Sequence, residues 1–134
     1  MTFISVTRLR LRSVRYLPPF LWHTLRSLLQ AKRAPGNASA KTKRAADGAY
    51  WTLTAWDTAA AMRAYRNSGA HKRAMPKLLE WCDEASVGHW EQASDELPDW
   101  RVAHRRMIET GRLSKVNHPS ERQRAGEMPA PENI

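Results

Sequence analysis

Apolar residues recur at period two over residues 3–12 and 50–56, and at helical spacing over 17–33 and 98–110. In the first stretch Ile4 and Val6 share one parity and Phe3, Leu9 and Leu11 the other, which suits a strand covered on both faces. Pro18-Pro19 then leads into a helix whose one face is Leu17, Phe20, Leu21, Leu25, Leu28 and Leu29, and Pro35-Gly36 ends it. Residues 37–47 are small and basic and carry no large apolar side chain. With Asp47-Gly48 as a hairpin turn signal they read as an edge strand, or else as a flexible basic loop.

Tyr50 to Trp56 alternates aromatic and β-branched residues and is expected to be a strand. Asp57 or Thr58 offers an N-cap oxygen, an Ala-rich helix follows, and Asn67-Ser68-Gly69 stops it. A second helix is expected from about residue 70 to 84, with Met75, Leu78, Leu79 and Cys82 on one stripe and Pro76 breaking its early part; residues 86–92 close the unit as a strand. The stretch 98–110 places Trp100, Ala103, His104, Met107 and Ile108 on one helical face, with Gly111 as its cap. Residues 1–113 therefore read as one domain. From Ser114 onward, prolines and mixed charge leave little to pack, so 114–134 is expected to be a disordered tail. The sequence does not decide whether the 98–110 helix lies on its own subunit or on a partner.

Composition narrows the classes. At 134 residues and 42% hydrophobic the chain can bury one core. The net charge of +9 resembles a nucleic-acid signature until it is divided: residues 1–49 hold ten Lys and Arg against Asp47 alone, while 50–93 hold five of each sign and 94–134 seven of each. Arg8, Arg10, Arg12 and Arg15 recur mostly at spacing two, as on one solvated strand face protecting an edge, so nucleic acid is not the expected partner. If it were, binding would fall steeply with salt. No membrane span or secretory segment is present in the sequence pattern, and a soluble cytoplasmic protein is expected. The single cysteine, Cys82, reads as a small core hydrophobe. No His, Cys, Asp or Glu cluster has metal-ligand spacing, and there is neither a phosphate-cradling glycine loop nor a nucleophile elbow.

The order β-α-β-β-α-β, with the second helix in two pieces, is that of a ferredoxin-like split fold of class α+β, an antiparallel sheet with helices on one face. Trp56 ending a strand, an Ala-rich helix reaching Tyr65, then Ser68-Gly69-Ala70-His71, and a closing strand with His89-Trp90, resemble the antibiotic-biosynthesis-monooxygenase superfamily of dimeric α+β barrels over about residues 2–93. The resemblance implies a homodimer with a cavity between sheet and helices. It implies a hydrophobic or aromatic small-molecule ligand and, where members are enzymes, oxygenation without a cofactor. Haem-degrading members carry Asn-Arg-Leu in the first strand, where this chain has Thr7-Arg8-Leu9, and a histidine ligand roughly one turn beyond His71, so no haem is expected.

On that basis His71, Tyr65 and Thr7 are the candidate catalytic residues, since one of them would have to stabilise a substrate carbanion or phenolate facing dioxygen. Trp56, Met75 and His89 are the candidate substrate-binding residues. A homodimer is also expected on physical grounds, because a four-stranded sheet with aromatics on both faces and helices on only one leaves an apolar surface uncovered. The alternative function is a non-catalytic binding or structural dimer of the same fold.

Overall fold

The computed structural model describes residues 1–131; the part of the expected tail at 132–134 lies outside the described residues. The elements are β1 (Thr2–Leu11), a 3₁₀ turn (Val14–Tyr16), α1 (Leu17–Arg33), β2 (Asn37–Arg44), β3 (Tyr50–Trp56), α2 (Ala59–Arg66), α3 (Gly69–Trp81), β4 (Cys82–Gln92), α4 (Trp100–Thr110), β5 (Arg112–Leu113) and α5 (Glu121–Arg124). They form one antiparallel sheet in the order β2-β3-β1-β4-β5, so the first strand is central, as the split α+β fold requires. Residues 37–44 pair with β3 as the expected edge strand. Thr58, not Asp57, caps α2 by accepting from Ala61 N.

Pairing explains where α3 ends. The chain leaves the helix at Trp81, and Leu11 lies opposite Cys82 and Arg10 opposite Glu84 in the ladder. Cys82 is therefore the first strand residue rather than part of a helical stripe. It is fully buried beside Ala85, Leu78, Leu9 and Leu11, and burial first, then the charge of Asp83, pushes its thiol up to about 12, so it stays protonated and inert.

The two sheet faces are covered differently. Phe3, Ser5, Thr7, Leu9 and Leu11 face α1, α2 and α3, which pack through Phe20 on Tyr50, Tyr65 on Trp56 and Leu78 on Ala85. The opposite face carries Ile4, Val6, Trp51, Leu53, Ala55 and Trp90, and α4 of the same chain closes it with Ala103 and Met107, flanked by Leu97, Trp100 and Met128. Trp51 meets Trp100 and His104 edge-on at 6.5 and 6.2 Å, and Lys41 sits 4.9 Å over the Trp100 ring while donating to the Pro98 carbonyl. Gly88 leaves room for this approach, since a Cβ there would stand 3.2 Å from Thr110 Oγ1. The argument for a dimer from an open apolar face thus loses its premise, because α4 supplies the cover.

Residues 114–131 are also placed differently from expectation. They pack, with Val116 buried beside Cys82 and Ala85 and with polar side chains adding to that contact. Gln123 is buried and bonds both Ala85 N and Ala85 O, as well as the Ser114 carbonyl, and Ser120 and Arg122 bond Glu84. Glu84 also receives Arg8 at 2.8 Å and Arg10 at 3.0 Å, and Arg8 reaches Asp47 at 2.8 Å. Arg8 is 1% exposed and so belongs to the interior, not to the solvated strand face expected from its spacing. Arg10 and Arg12 are likewise bound to carboxylates, which leaves this strand without the free cations a phosphate backbone would need. On the same cross-strand row Arg8 Nε, Trp51 Nε1 and Ser86 Oγ are buried with no hydrogen-bond partner among the described residues.

Burial alone would raise the Glu84 carboxyl pKa. The hydrogen bonds from Ser120 and Arg8 and the charges of Arg8 and Arg122 outweigh it, and the net direction is down. A carboxylate with a depressed folded-state pKa contributes stability that is present above its unfolded value of 4.5 and is lost as pH falls through the folded value. Glu84→Ala should cost about 3–5 kcal/mol by leaving Arg8 buried and half-paired, measured by urea unfolding at neutral pH. Stability of Glu84→Gln should fall less steeply with acid than that of the parent chain. An unchanged slope would show that Glu84 does not carry the acid sensitivity.

Candidate functional site

Ser68-Gly69 breaks the second helix as expected, and the break is organised by a residue the sequence reading did not single out. Gln30 of α1 donates to the Tyr65 and Ser68 carbonyls at 3.2 and 2.8 Å and accepts from His71 N at 2.9 Å. One amide thus ties two carbonyls at the break to an amide proton left over at the start of α3. Gly69 takes φ +59, the left-handed conformation that lets α3 restart at a new angle.

This clamp sets an aromatic stack on the helical side of the sheet. Tyr65 lies 5.1 Å from Trp56 and 4.8 Å from His71, ring centre to ring centre. Trp56 is fully buried and gives its Nε1 proton to Thr54 Oγ1, so it is the floor of the stack and not a surface a ligand can reach. Tyr65 donates its hydroxyl to the Ser27 carbonyl at 3.1 Å, and burial holds its pKa well above the ordinary phenol range. His71 Nδ1 sits 3.1 Å from the Arg66 carbonyl, an acceptor only. The neutral ring must carry its proton on Nδ1, which leaves the lone pair on Nε2. Burial lowers the His71 pKa, and the Arg66 carbonyl opposes this.

The structure therefore brings together Trp56, Tyr65 and His71 among the six candidates. Thr7 shares their sheet face but lies in register with Thr52 and Val87, farther along the strand. Met75 is 40% exposed one turn after His71 and lines neither of the clefts beside α2. His89 sits on the same face as the stack, against Phe3 at 5.4 Å, and belongs to a different cavity.

Two clefts flank α2. The larger, about 580 Å³, opens between α1 and α2 and is walled by Ala34, Pro35, Ala61, Ala64 and Tyr65, with Gln30, Arg33 and Asp57 as its polar groups. Gly36 at its edge has φ +86, and a Cβ there would run into Asp57 and Ala61, so only glycine fits this turn. The smaller cleft, about 240 Å³, lies between α2 and β4. Phe3, Met62 and Val87 form its apolar wall, and His89, Arg63, Arg66, Thr110 and Arg112 its polar one. Among the described residues none of these three arginines pairs with a carboxylate. Burial, then the charges of Arg66 and Arg112, lower the His89 pKa, so its ring is neutral at pH 7 in a field that favours anions. Neutral imidazole beside unpaired guanidinium groups can take a proton from an acidic C–H or O–H and hold the anion that results. Arg63 and Arg66 were legible only as the cationic positions of an Ala-rich helix, and Arg112 follows a cap; nothing in their spacing showed that they meet His89.

The fold is that of a small α+β protein with a split helix over an antiparallel sheet and a cleft on each flank of α2. Residues 23–77 match the model of the family described as antibiotic biosynthesis monooxygenase, which confirms the resemblance read from the residues. Solved structures agree on the fold. Rv0793 from Mycobacterium tuberculosis is similar with a TM-score of 0.62 at 14% identity, covering 70% of this chain and 100% of its own. A conserved protein from Methanosarcina mazei Go1 is similar at 0.62 and 13%, covering 69% and 93%. SnoaB from Streptomyces nogalater, described as a cofactor-independent oxygenase, is similar at 0.57 and 18%, covering 73% and 98%. No curated protein matches the chain.

Tyr65→Phe should lower stability by about 1 kcal/mol through the lost bond to the Ser27 carbonyl, read by thermal unfolding, and leave the ring stack in place. A loss several times larger would mean that the hydroxyl, not the ring, positions α2.

Proposed function

We propose that the chain binds a hydrophobic aromatic molecule carrying an ionisable oxygen in the cleft between α2 and β4, and oxygenates it without a cofactor. The observation that carries this reading is His89, neutral at pH 7, facing a cleft with an apolar wall and three cations free of carboxylates. His89 takes the role of base, and Arg66 and Arg112 stabilise the phenolate or carbanion. Phe3, Met62 and Val87 hold the ring system, in the pattern of a small-ligand site with few polar groups. Proton removal gives a carbanion, dioxygen captures it as a hydroperoxide, and loss of water leaves a carbonyl. One oxygen atom goes to product and one to water, and the substrate supplies the electrons. In this reading His71, Tyr65 and Trp56 are positioning residues that fix α2 over the sheet, and Thr7 and Met75 have no part in the reaction. SnoaB's description as a cofactor-independent oxygenase supports the reaction class, by likeness of fold.

A second reading, a binding protein without turnover, is favoured by the lining of the cleft itself, in which His89 has, among the described residues, no second acid–base group beside it to return the proton. Dioxygen uptake with hydroxylated polycyclic aromatics separates the two. Under the first reading His89→Ala lowers turnover by about 10²-fold with folding intact. The rate of the parent chain should fall on the acid side, with an apparent pKa below 6.5 as His89 becomes protonated. Ligand binding with no oxygen uptake in the parent chain selects the second reading.

A further inference from the structure

We infer that the outer face of the helical layer docks on an anionic lipid bilayer. The expectation of no membrane partner rested on the lack of a span, and among the described residues no helix is long and apolar enough to cross a membrane. A surface has different requirements, and α1 meets them. Its inner side buries Phe20 and Ala31, while Leu21, Leu25 and Leu29, spaced four apart, are 45, 53 and 45% exposed, and Trp22 beside them is 60% exposed. These are large apolar side chains with no core to enter. They would be an aggregation liability in water unless something covers them.

Charge identifies the cover. The helices α1, α2 and α3 carry eight cationic side chains against one carboxylate, Glu80. That carboxylate is occupied by Arg12, Asn117 and His118. The cations are grouped with the exposed tryptophan. Arg26 lies 5.9 Å over the Trp22 ring, Lys77 of α3 stands 3.4 Å from His23 of α1, and Arg26, Arg73 and Lys77 all act on the His23 ring. Because α1 and α3 lie side by side, with His23 against Trp81 and Gln30 against His71, these groups form one surface across two helices.

An apolar stripe with Trp at its side and cations around it is the pattern of an interfacial amphipathic helix, where aromatic and aliphatic groups enter the headgroup boundary and cations meet acidic lipids. A second copy of this chain fits less well, because a symmetric contact through this face would set Arg26, Arg73 and Lys77 against the same cations. A nucleic acid would use the cations and leave the leucines in water.

The test is flotation of the full chain with vesicles of phosphatidylcholine, with and without phosphatidylglycerol. Binding is expected only to the vesicles with phosphatidylglycerol, weakening as salt rises. Arg26→Gln/Arg73→Gln/Lys77→Gln together should weaken it on the order of 100-fold. Trp22→Ala and Leu25→Ser should each weaken it at constant salt, with circular dichroism confirming that each variant is folded. These sites lie outside the cleft between α2 and β4, so loss of vesicle binding with oxygen uptake unchanged keeps the two readings apart. Three results would overturn the inference. One is absence of binding to anionic vesicles. Another is oligonucleotide binding that the triple variant abolishes while vesicles are ignored. The last is a dimer in light scattering that Leu25→Ser converts to monomer.

Discussion

A single carboxylate holds three parts of the chain in register. Glu84 on β4 takes Arg8 and Arg10 from β1 and Arg122 from the tail, with Ser120 as a further donor. Its side chain is 1% exposed, as is the whole of Arg8, so neither charge can return to water without opening the sheet or lifting the tail. Isolated buried pairs contribute little net stability. Here one acceptor serves several donors, so each element that departs leaves a buried charge short of a partner. These ion pairs, together with the packing of Val116 beside Cys82 and Ala85 and of Met128 against the core under α4, hold the tail back on the domain.

That arrangement also shows why the strands and helices could be read and the placement of charge could not. β1, β3, α1, α2 and α4 follow from periodicity and capping, since Ile4, Val6, Trp51 and Leu53 announce a buried face whatever lies against them. Arg8 misled because period two says only that residues share a face. Whether that face meets water depends on α4 and α5, which lie about a hundred residues later. The tail misled for the reciprocal reason. Gln123 and Arg122 are polar by composition, yet their partners, Ala85 and Glu84, lie on a distant strand. The helical pattern continues to about residue 84, three residues past the end of α3, because nothing local breaks the helix before Cys82; cross-strand pairing with Leu11 and Arg10 does.

The candidate site was legible in the same uneven way. Tyr65 next to a Ser-Gly break, with His71 after it, pointed to a cavity beside Trp56, and in the structure the three rings pack on one another there. The stack then proved too well filled to be a cavity. Open volume lies on either side of α2 instead, where Gln30 and the Arg63, Arg66, His89 and Arg112 group converge from separate elements. A helix of eight residues presents different neighbours on each flank, and only the third dimension reveals which flank is hollow.

The central position of β1 has a consequence for how the chain comes into being. Arg8 precedes both of its partners along the chain, and it belongs in the interior beside Asp47 and Glu84. During synthesis from the N-terminus, Asp47 becomes available first, with the β3 hairpin, while Glu84 and its strand follow and the tail comes last. Until β4 arrives, one side of β1 is an unpaired edge bearing an arginine whose second partner does not yet exist, and that cation keeps the edge from pairing with another chain. The same side chain thus guards the growing sheet before it helps to lock the finished one.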